Sequence, residues 1–328
     1  MKRRSLFFLA AAAACKRASG RPVRIATQSA SIAQMPAAFT QTLGYYREES
    51  IAVELQHFPS SGKALESWNA GSSDILTGPF EFALRMTAQA RPLASFVQIT
   101  SSDGRGILAA PGRTDIRSVA DLRGKKIGIT GFGSGTHDFA RYVLARHGIR
   151  DDEVSFIPVG TGPSALLAVE RGMVDAASSA SAEFFRLQMK FPHIAVLVNV
   201  ATREGSKAFW GSDNVPFIAM LAAPRWLLEN APQARGVARA VKKTVLWMRG
   251  HTPEQILEQM TPDYTTSDRA GDLETLRMTQ IQLSPDCLMP PGGAEIIHRA
   301  VAGIQENIRA AKINLAATYT NEFVKEPL

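Results

Sequence analysis

The chain has 328 residues, 45% hydrophobic and 20% charged, which suits one or two ordinary globular cores and excludes a disordered chain beyond the first twenty residues. Its formal charge of +7 is concentrated at the start, in Lys2, Arg3, Arg4, Lys16, Arg17 and Arg21, so the remainder is close to neutral and gives no compositional case for nucleic-acid binding. Cys15 and Cys287 are the two cysteines, and loss of the first on export would leave none to pair with the second, which excludes a disulfide framework.

Lys2, Arg3 and Arg4 precede an apolar run from Leu6 to Ala14 that ends in small residues, the order of an export signal. The run is shorter than the roughly 20 apolar residues of a permanent membrane helix. Arg3-Arg4-Ser5-Leu6-Phe7 fits the twin-arginine pattern, while the general secretory route also uses basic starts. Ala12-Ala13-Ala14 before Cys15 permits lipoprotein cleavage, although Leu9 stands further upstream than the usual leucine. Cys15 is then either lipidated or discarded with the signal. The expected location is the periplasm, or the cell envelope through a lipid anchor.

Residues 1–20 are therefore read as leader and flank. Alternating strands and helices follow: strand Val23–Thr27, a helix from about Pro36 to Arg47, strand Ala52–His57, a helix from about Lys63 to Ala70, strand Asp74–Thr77 and a helix from about Phe80 to Gln89. This alternation predicts a parallel sheet with ligands at the carboxyl ends of its strands. Strand Ile107–Ala110 is expected to lead into a second lobe, residues 111–216, and Phe217–Leu221 to lead back. Residues 21–110 with 217–328 would form the first lobe. Four or five helices finish the chain, with Pro224, Pro232 and Pro253 in first turns.

The most informative stretch runs from 116 to 177. Lys126 to Thr130 reads as a short strand, and Phe139, Ala140, Val143 and Leu144 recur at helical spacing. The loop Gly131 to Gly135 thus sits where a strand hands over to a helix, with free N–H groups and a positive dipole end facing an acceptor-rich ligand group. A nucleotide reading fails on detail, since Thr136 stands where a dinucleotide fingerprint needs glycine and no Gly-Lys-Ser/Thr follows. No cysteine–histidine cluster, nucleophile elbow or calcium loop is present, and no enzymatic constellation is visible.

Val119-Ala-Asp-Leu-Arg-Gly-Lys-Lys-Ile-Gly-Ile129, Gly133-Ser-Gly-Thr-His137 and Gly172-Met-Val-Asp-Ala176 together resemble the second lobe of periplasmic solute-binding proteins of ABC transporters, in the nitrate/sulfonate/taurine group that includes the thiamine-precursor-binding proteins. Thr27-Gln-Ser29, Ala70-Gly-Ser-Ser-Asp-Ile75 and Gly78-Pro-Phe-Glu-Phe-Ala83 agree in order, and the likeness spans most of residues 22 to 310. It implies an α/β, two-lobed periplasmic-binding-protein fold of type II: two parallel-rich sheets with helices on both faces, joined by two hinge crossings. It also implies a monomer with no cofactor and no catalysis, which delivers a small polar or anionic molecule to a permease and its ATPase.

Loops at the strand ends should then meet over the ligand. In the first lobe these offer Gln28, Ser29, Ser60, Ser61, Gly62, Phe80 and Glu81; in the second, Phe132, Gly133, Ser134, Gly135, Thr136, His137, Thr161 and Glu183, with Trp210 as a further stacking candidate. Ser60, Ser61, Ser134 and Thr136 also suit helix caps. Glu81 and Glu183 each fall where a helix begins, so they either accept from an amino group of the ligand or complement a helix dipole. Two acids in one pocket argue against a purely anionic ligand. His137 reads as a cap or surface histidine, because Asp138 completes no metal spacing, and Asp175 as a holder of backbone amides. Tyr45 and Phe184 could also stack on a ring or cation, but most apolar aromatics are core, and Phe80, Phe132 and Trp210 are favoured over them. The alternatives are an enzyme of the pyrimidine-synthase-like branch, disfavoured by the single remaining Cys287, and a ligand-sensing partner of a membrane receptor.

Overall fold

The computed structural model describes residues 21–29 and 31–325, so the expected leader and the lipidation candidate Cys15 lie outside the described residues. Ten strands form among them: β1 (Val23–Gln28), β2 (Val53–Phe58), β3 (Ile75–Pro79), β4 (Ala94–Gln98), β5 (Gly106–Ala109), β6 (Lys126–Ile129), β7 (Ser155–Pro158), β8 (Ala176–Ser179), β9 (Val196–Asn199) and β10 (Ile218–Ala222). They build two five-stranded sheets, in the orders β2-β1-β3-β10-β4 and β7-β6-β8-β5-β9. β1 is parallel to β2 and β3, and β6 to β7 and β8. β10 and β5 run antiparallel to both neighbours. Each sheet is thus mixed, with a parallel trio at one edge, and both follow one plan.

The trio arises because each connection is a helix that packs back on the sheet, a route parallel strands require. Local signals set the helix starts. Ser60 accepts from Lys63 N at 3.2 Å to cap Ser61–Asn69, and Ser134 accepts from His137 N at 3.4 Å to cap Gly135–Arg146. Prolines occupy first turns in helices Pro224–Glu229, Ala231–Gly250 and Pro253–Gln259, as their fixed φ allows. The helix expected over 36–47 ends early, at Met35–Thr42, because Gly44 turns left-handed with φ of 80° before a short helix, Tyr45–Glu48.

The expected crossing segments, Ile107–Ala110 and Phe217–Leu221, fall largely inside strands of one sheet or the other, β5 and β10. The connections between sheets are the stretches 99–105 and 200–217. An apolar strand reads alike whether it enters a sheet or links two. The polar run Ser101-Ser102-Asp103-Gly104-Arg105 is what the first link is made of. Six helices follow β10 among the described residues. Helix Arg269–Gln282 packs against helix Ser181–Lys190 of the second sheet, and helix Gly293–Ile304 packs against both Glu81–Ala88 and Gly135–Arg146. One apolar cluster accordingly joins Leu76, Phe80 and Leu84 beside the first sheet to Ile107, Ile127 and Phe139 beside the second.

Candidate functional site

The carboxyl ends of both parallel trios face one seam between the sheets. Across it, the loop after β2 meets the loop after β6 so closely that a Cβ on Gly62 would lie 2.6 Å from the carbonyl oxygen of Phe132. Further along, Thr161 Oγ1 donates to Ser29 O at 3.4 Å, linking the loop after β7 to the end of β1. The loops that the sequence singles out do meet. They meet in two chemically different places.

On the inner side, against the crossings, the seam is charged, paired and packed. Arg105 is 1% exposed and sits at its centre. Its Nε and Nη2 donate to Asp103 at 2.8 Å each, and its Nη1 donates to Glu81 Oε1 at 3.2 Å and to Gly135 O at 2.6 Å. Its guanidinium also lies over the rings of Phe139 and Phe217, 4.9 and 4.6 Å from their centroids. Burial opposes this charge, but Asp103 and Glu81 outweigh it and raise the pKa further. Asp103 has the better share of Arg105. Burial therefore holds the Glu81 carboxyl above its ordinary range, with Arg105 and Arg85 opposing. One helical turn on, Arg85 pairs with Asp138 and donates to Gly133 O at 3.0 Å. Trp210 stacks on Tyr142 in this region, at 5.4 Å between centroids, with its Nε1 buried and without a partner among the described residues.

On the outer side the seam holds a cavity of about 50 Å³, lined by Ile32, Gly162, Leu166, Glu183, Arg186 and Tyr264 among others. An open groove of about 560 Å³ shares Pro163, Leu166, Arg186 and Thr266 with it and leads to solvent. Glu183 is buried and accepts from Gly162 N at 2.6 Å. Burial raises its carboxyl above the ordinary range, and the Gly162 amide opposes that shift. Tyr264 presents a buried hydroxyl with no partner among the described residues, and burial pushes its pKa up to about 12. The Arg186 guanidinium at the rim is bonded to Asp272 and paired with Asp268.

The remaining expected residues divide between these places. Gln28 is spent on scaffolding: its Oε1 accepts from Ser61 N at 3.1 Å and from Gln34 Nε2 at 3.2 Å. Phe80 is core, and Glu81 is consumed by Arg105. Thr136 Oγ1 accepts from Thr130 N at 2.9 Å and lies 3.1 Å from Ser134 Oγ, which folds the loop on itself. His137 Nδ1 accepts from Gly133 N at 3.1 Å, and burial, with Arg141 nearby, lowers its pKa to about 4; it acts as a loop brace. Phe132 projects outward, 60% exposed, edge-on to His137. Asp175 accepts from Lys126 N at 2.8 Å and pairs with Arg113, the amide-holding role its strand-end position suggests. Phe184 is buried core, whereas Tyr45 is only partly buried at the core edge. No group of three or more metal-ligating side chains occurs among the described residues, and no helix among them is long and apolar enough to cross a membrane.

Sequence reasoning missed Arg85, Arg105, Arg186, Gln34 and Tyr264. Tyr264 carried a faint signal, an aromatic inside the turn-rich Thr261-Pro-Asp-Tyr-Thr-Thr266 between two helices.

With this architecture in view, likeness to known proteins is specific. The NMT1/THI5 like family model matches residues 33–256. The curated candidate binding protein YtlA of Bacillus subtilis (strain 168) is 24% identical over 271 residues, 80% of this chain and 77% of YtlA. Among solved structures, a protein from Bordetella bronchiseptica RB50 superposes with a TM-score of 0.88 at 27% identity, over 93% of this chain and 96% of that one. The alkanesulfonate-binding protein SsuA of Xanthomonas axonopodis pv. citri, bound to MOPS, gives 0.63 at 19% identity over 92% of this chain and all of its own. The periplasmic nitrate-binding protein NrtA of Synechocystis PCC 6803 gives 0.73 at 13% identity, over 93% and 87%. These last two share the fold, the two-lobed α/β architecture of periplasmic binding proteins. By the match over most of its length, this chain belongs to the NMT1/THI5-like family.

Proposed function

We propose that the chain is the exported solute-binding component of an ABC importer, which takes a small organic molecule between its two sheets and presents it to a permease coupled to a cytoplasmic ATPase. The carrying observation is the outer seam, where the loops after β7 and β8 face Ile32 and Tyr264 across a cavity open to solvent through a groove. A ligand touching both sides binds the closed arrangement more tightly than an open one, and that difference draws the lobes together. The protein itself catalyses nothing in this reading. Its lobes are the two sheets with their helices, the crossings 99–105 and 200–217 serving as hinges.

The chemistry of the cavity favours a ligand with a donor group over a bare oxyanion. Glu183 has one oxygen on Gly162 N, and the buried Tyr264 hydroxyl beside the cavity has no partner among the described residues. The arginines that approach the seam, Arg85, Arg105 and Arg186, are each matched with carboxylates. An amino or ring N–H group could donate to Glu183 while its apolar body lies against Ile32 and Leu166. Sulfonates and nitrate, which the named neighbours bind, would add negative charge beside Glu183 and Asp263.

A thermal-shift panel of purified protein against alkanesulfonates, nitrate, taurine and amino-substituted heterocycles tests this reading. A ligand present at 100 times its dissociation constant stabilises the folded state by about 2.7 kcal/mol. Stabilisation by an amino heterocycle and none by nitrate is the expected pattern. Stabilisation by simple oxyanions alone would keep the receptor reading and discard the donor preference.

A further inference from the structure

We propose that Arg85 and Arg105 are positioning residues that latch the two lobes together in the ligand-free chain, gripping the Gly131–Gly135 loop by its carbonyl oxygens. The inference rests on the two-lobed receptor reading above. It concerns the state before any ligand binds.

The geometry is particular. Helix Glu81–Ala88 belongs to the first sheet and helix Gly135–Arg146 to the second. Glu81 and Arg85, one turn apart, both face the start of the second helix. Arg85 holds Asp138 and Gly133 O, while Arg105 holds Glu81 on one side and Gly135 O on the other. Arg105 also comes from the first crossing and covers Phe217 at the end of the second. One guanidinium therefore touches both crossings and both lobes.

Arg105, Glu81 and Asp138 are buried, Arg85 is partly buried, and both arginines face carboxylates, so separating the lobes would strand Asp138 or leave Arg85 short of acceptors. Closure is then held by the protein's own contacts. Ligand exchange must wait for the latch to release, and the loop carrying Ser134 and Thr136 is set in place beforehand.

A cross-seam disulfide tests this. A Cβ on Gly131 would lie 3.3 Å from Ser60 Cβ, close to disulfide geometry, and Gly131 lies outside the left-handed region, so cysteine is tolerated there. Cys287 is buried and stays out of the exchange. In the ligand-free mature chain, Ser60→Cys with Gly131→Cys should cross-link readily under mild oxidation. With Arg85→Gln and Asp138→Asn added, trapping should slow about tenfold as the closed population falls about tenfold, and small-angle scattering should show a larger radius of gyration. If that pair fails to fold, Arg85→Lys keeps the charge but cannot grip Gly133 O and Asp138 together, and the same slowing is expected. No cross-linking in the Arg85 background, or unchanged trapping in a folded variant, would overturn the latch. Since no ligand is used, either result leaves the ligand reading to its own panel.

Discussion

The inner and outer halves of the seam are built from the same kind of parts and end in opposite states. Inside, three carboxylates, Glu81, Asp103 and Asp138, meet Arg85, Arg105 and, at 3.9 Å, Arg141, and Ile297, Ala300 and Val301 of helix Gly293–Ile304 lie beside Glu81 and Asp138. Outside, Glu183 and Tyr264 line a cavity, Glu183 with no arginine on its carboxylate and Tyr264 with a buried hydroxyl that has no partner among the described residues. Buried charge is stable where it is paired, so the half whose carboxylates meet arginines reads as framework and the half whose Glu183 meets none among the described residues reads as a place for a ligand.

The largest way to break the contrast is to empty the inner half. Arg105→Met should cost about 3–5 kcal/mol, because Asp103 and Glu81 would remain buried without their partner. Urea unfolding measures it, and a loss below 1 kcal/mol would mean that the carboxylates simply take up protons. Next is Gly62→Val, whose Cβ would meet Phe132 O at 2.6 Å. Overpacking there should cost about 1–3 kcal/mol and push the lobes apart, seen as an increased radius of gyration. Replacing Ser134 and Thr136 together by alanine removes a cap and the acceptor for Thr130 N, for a loss of ~1–2 kcal/mol in thermal melting.

Acidity separates the halves more finely. Glu183 has a raised folded pKa, so the folded state holds its proton longer than the unfolded chain, and stability falls as pH rises from the ordinary value of 4.5 through the raised one. Glu183→Gln should flatten that slope. His137 runs the other way: its folded pKa of about 4 lies below the ordinary 6.5, so the unfolded chain binds the extra proton and stability falls as pH drops across that window. His137→Gln should remove this part of the acid sensitivity, and melting curves from pH 4 to 8 for the two variants report both slopes.

Much of the fold was legible in the sequence because period and punctuation are local. β1, β2 and β3, the capping Ser60 and Ser134, and the prolines of the last helices stand within a residue or two of where pattern puts them. The meeting of loops across the seam was legible through the resemblance. The latch was not. Arg105 sits in Ser101-Ser102-Asp103-Gly104-Arg105, a polar run that reads as a solvated turn, and only the convergence of both crossings buries it. Glu81 read as either a ligand acceptor or a helix-dipole carboxylate for the same reason: its position at a strand end was visible, its arginine partner was not. Glu183 had the same local signature, and there no arginine takes up the carboxylate.

Tyr264→Phe addresses the central claim most directly, because it deletes one buried hydroxyl that has no partner among the described residues. Calorimetry with whichever panel compound binds should show affinity weakened by about 1 kcal/mol, roughly fivefold, while urea unfolding of the ligand-free variant matches that of the parent. Unchanged affinity in the folded variant would contradict the account and place the ligand away from the outer seam.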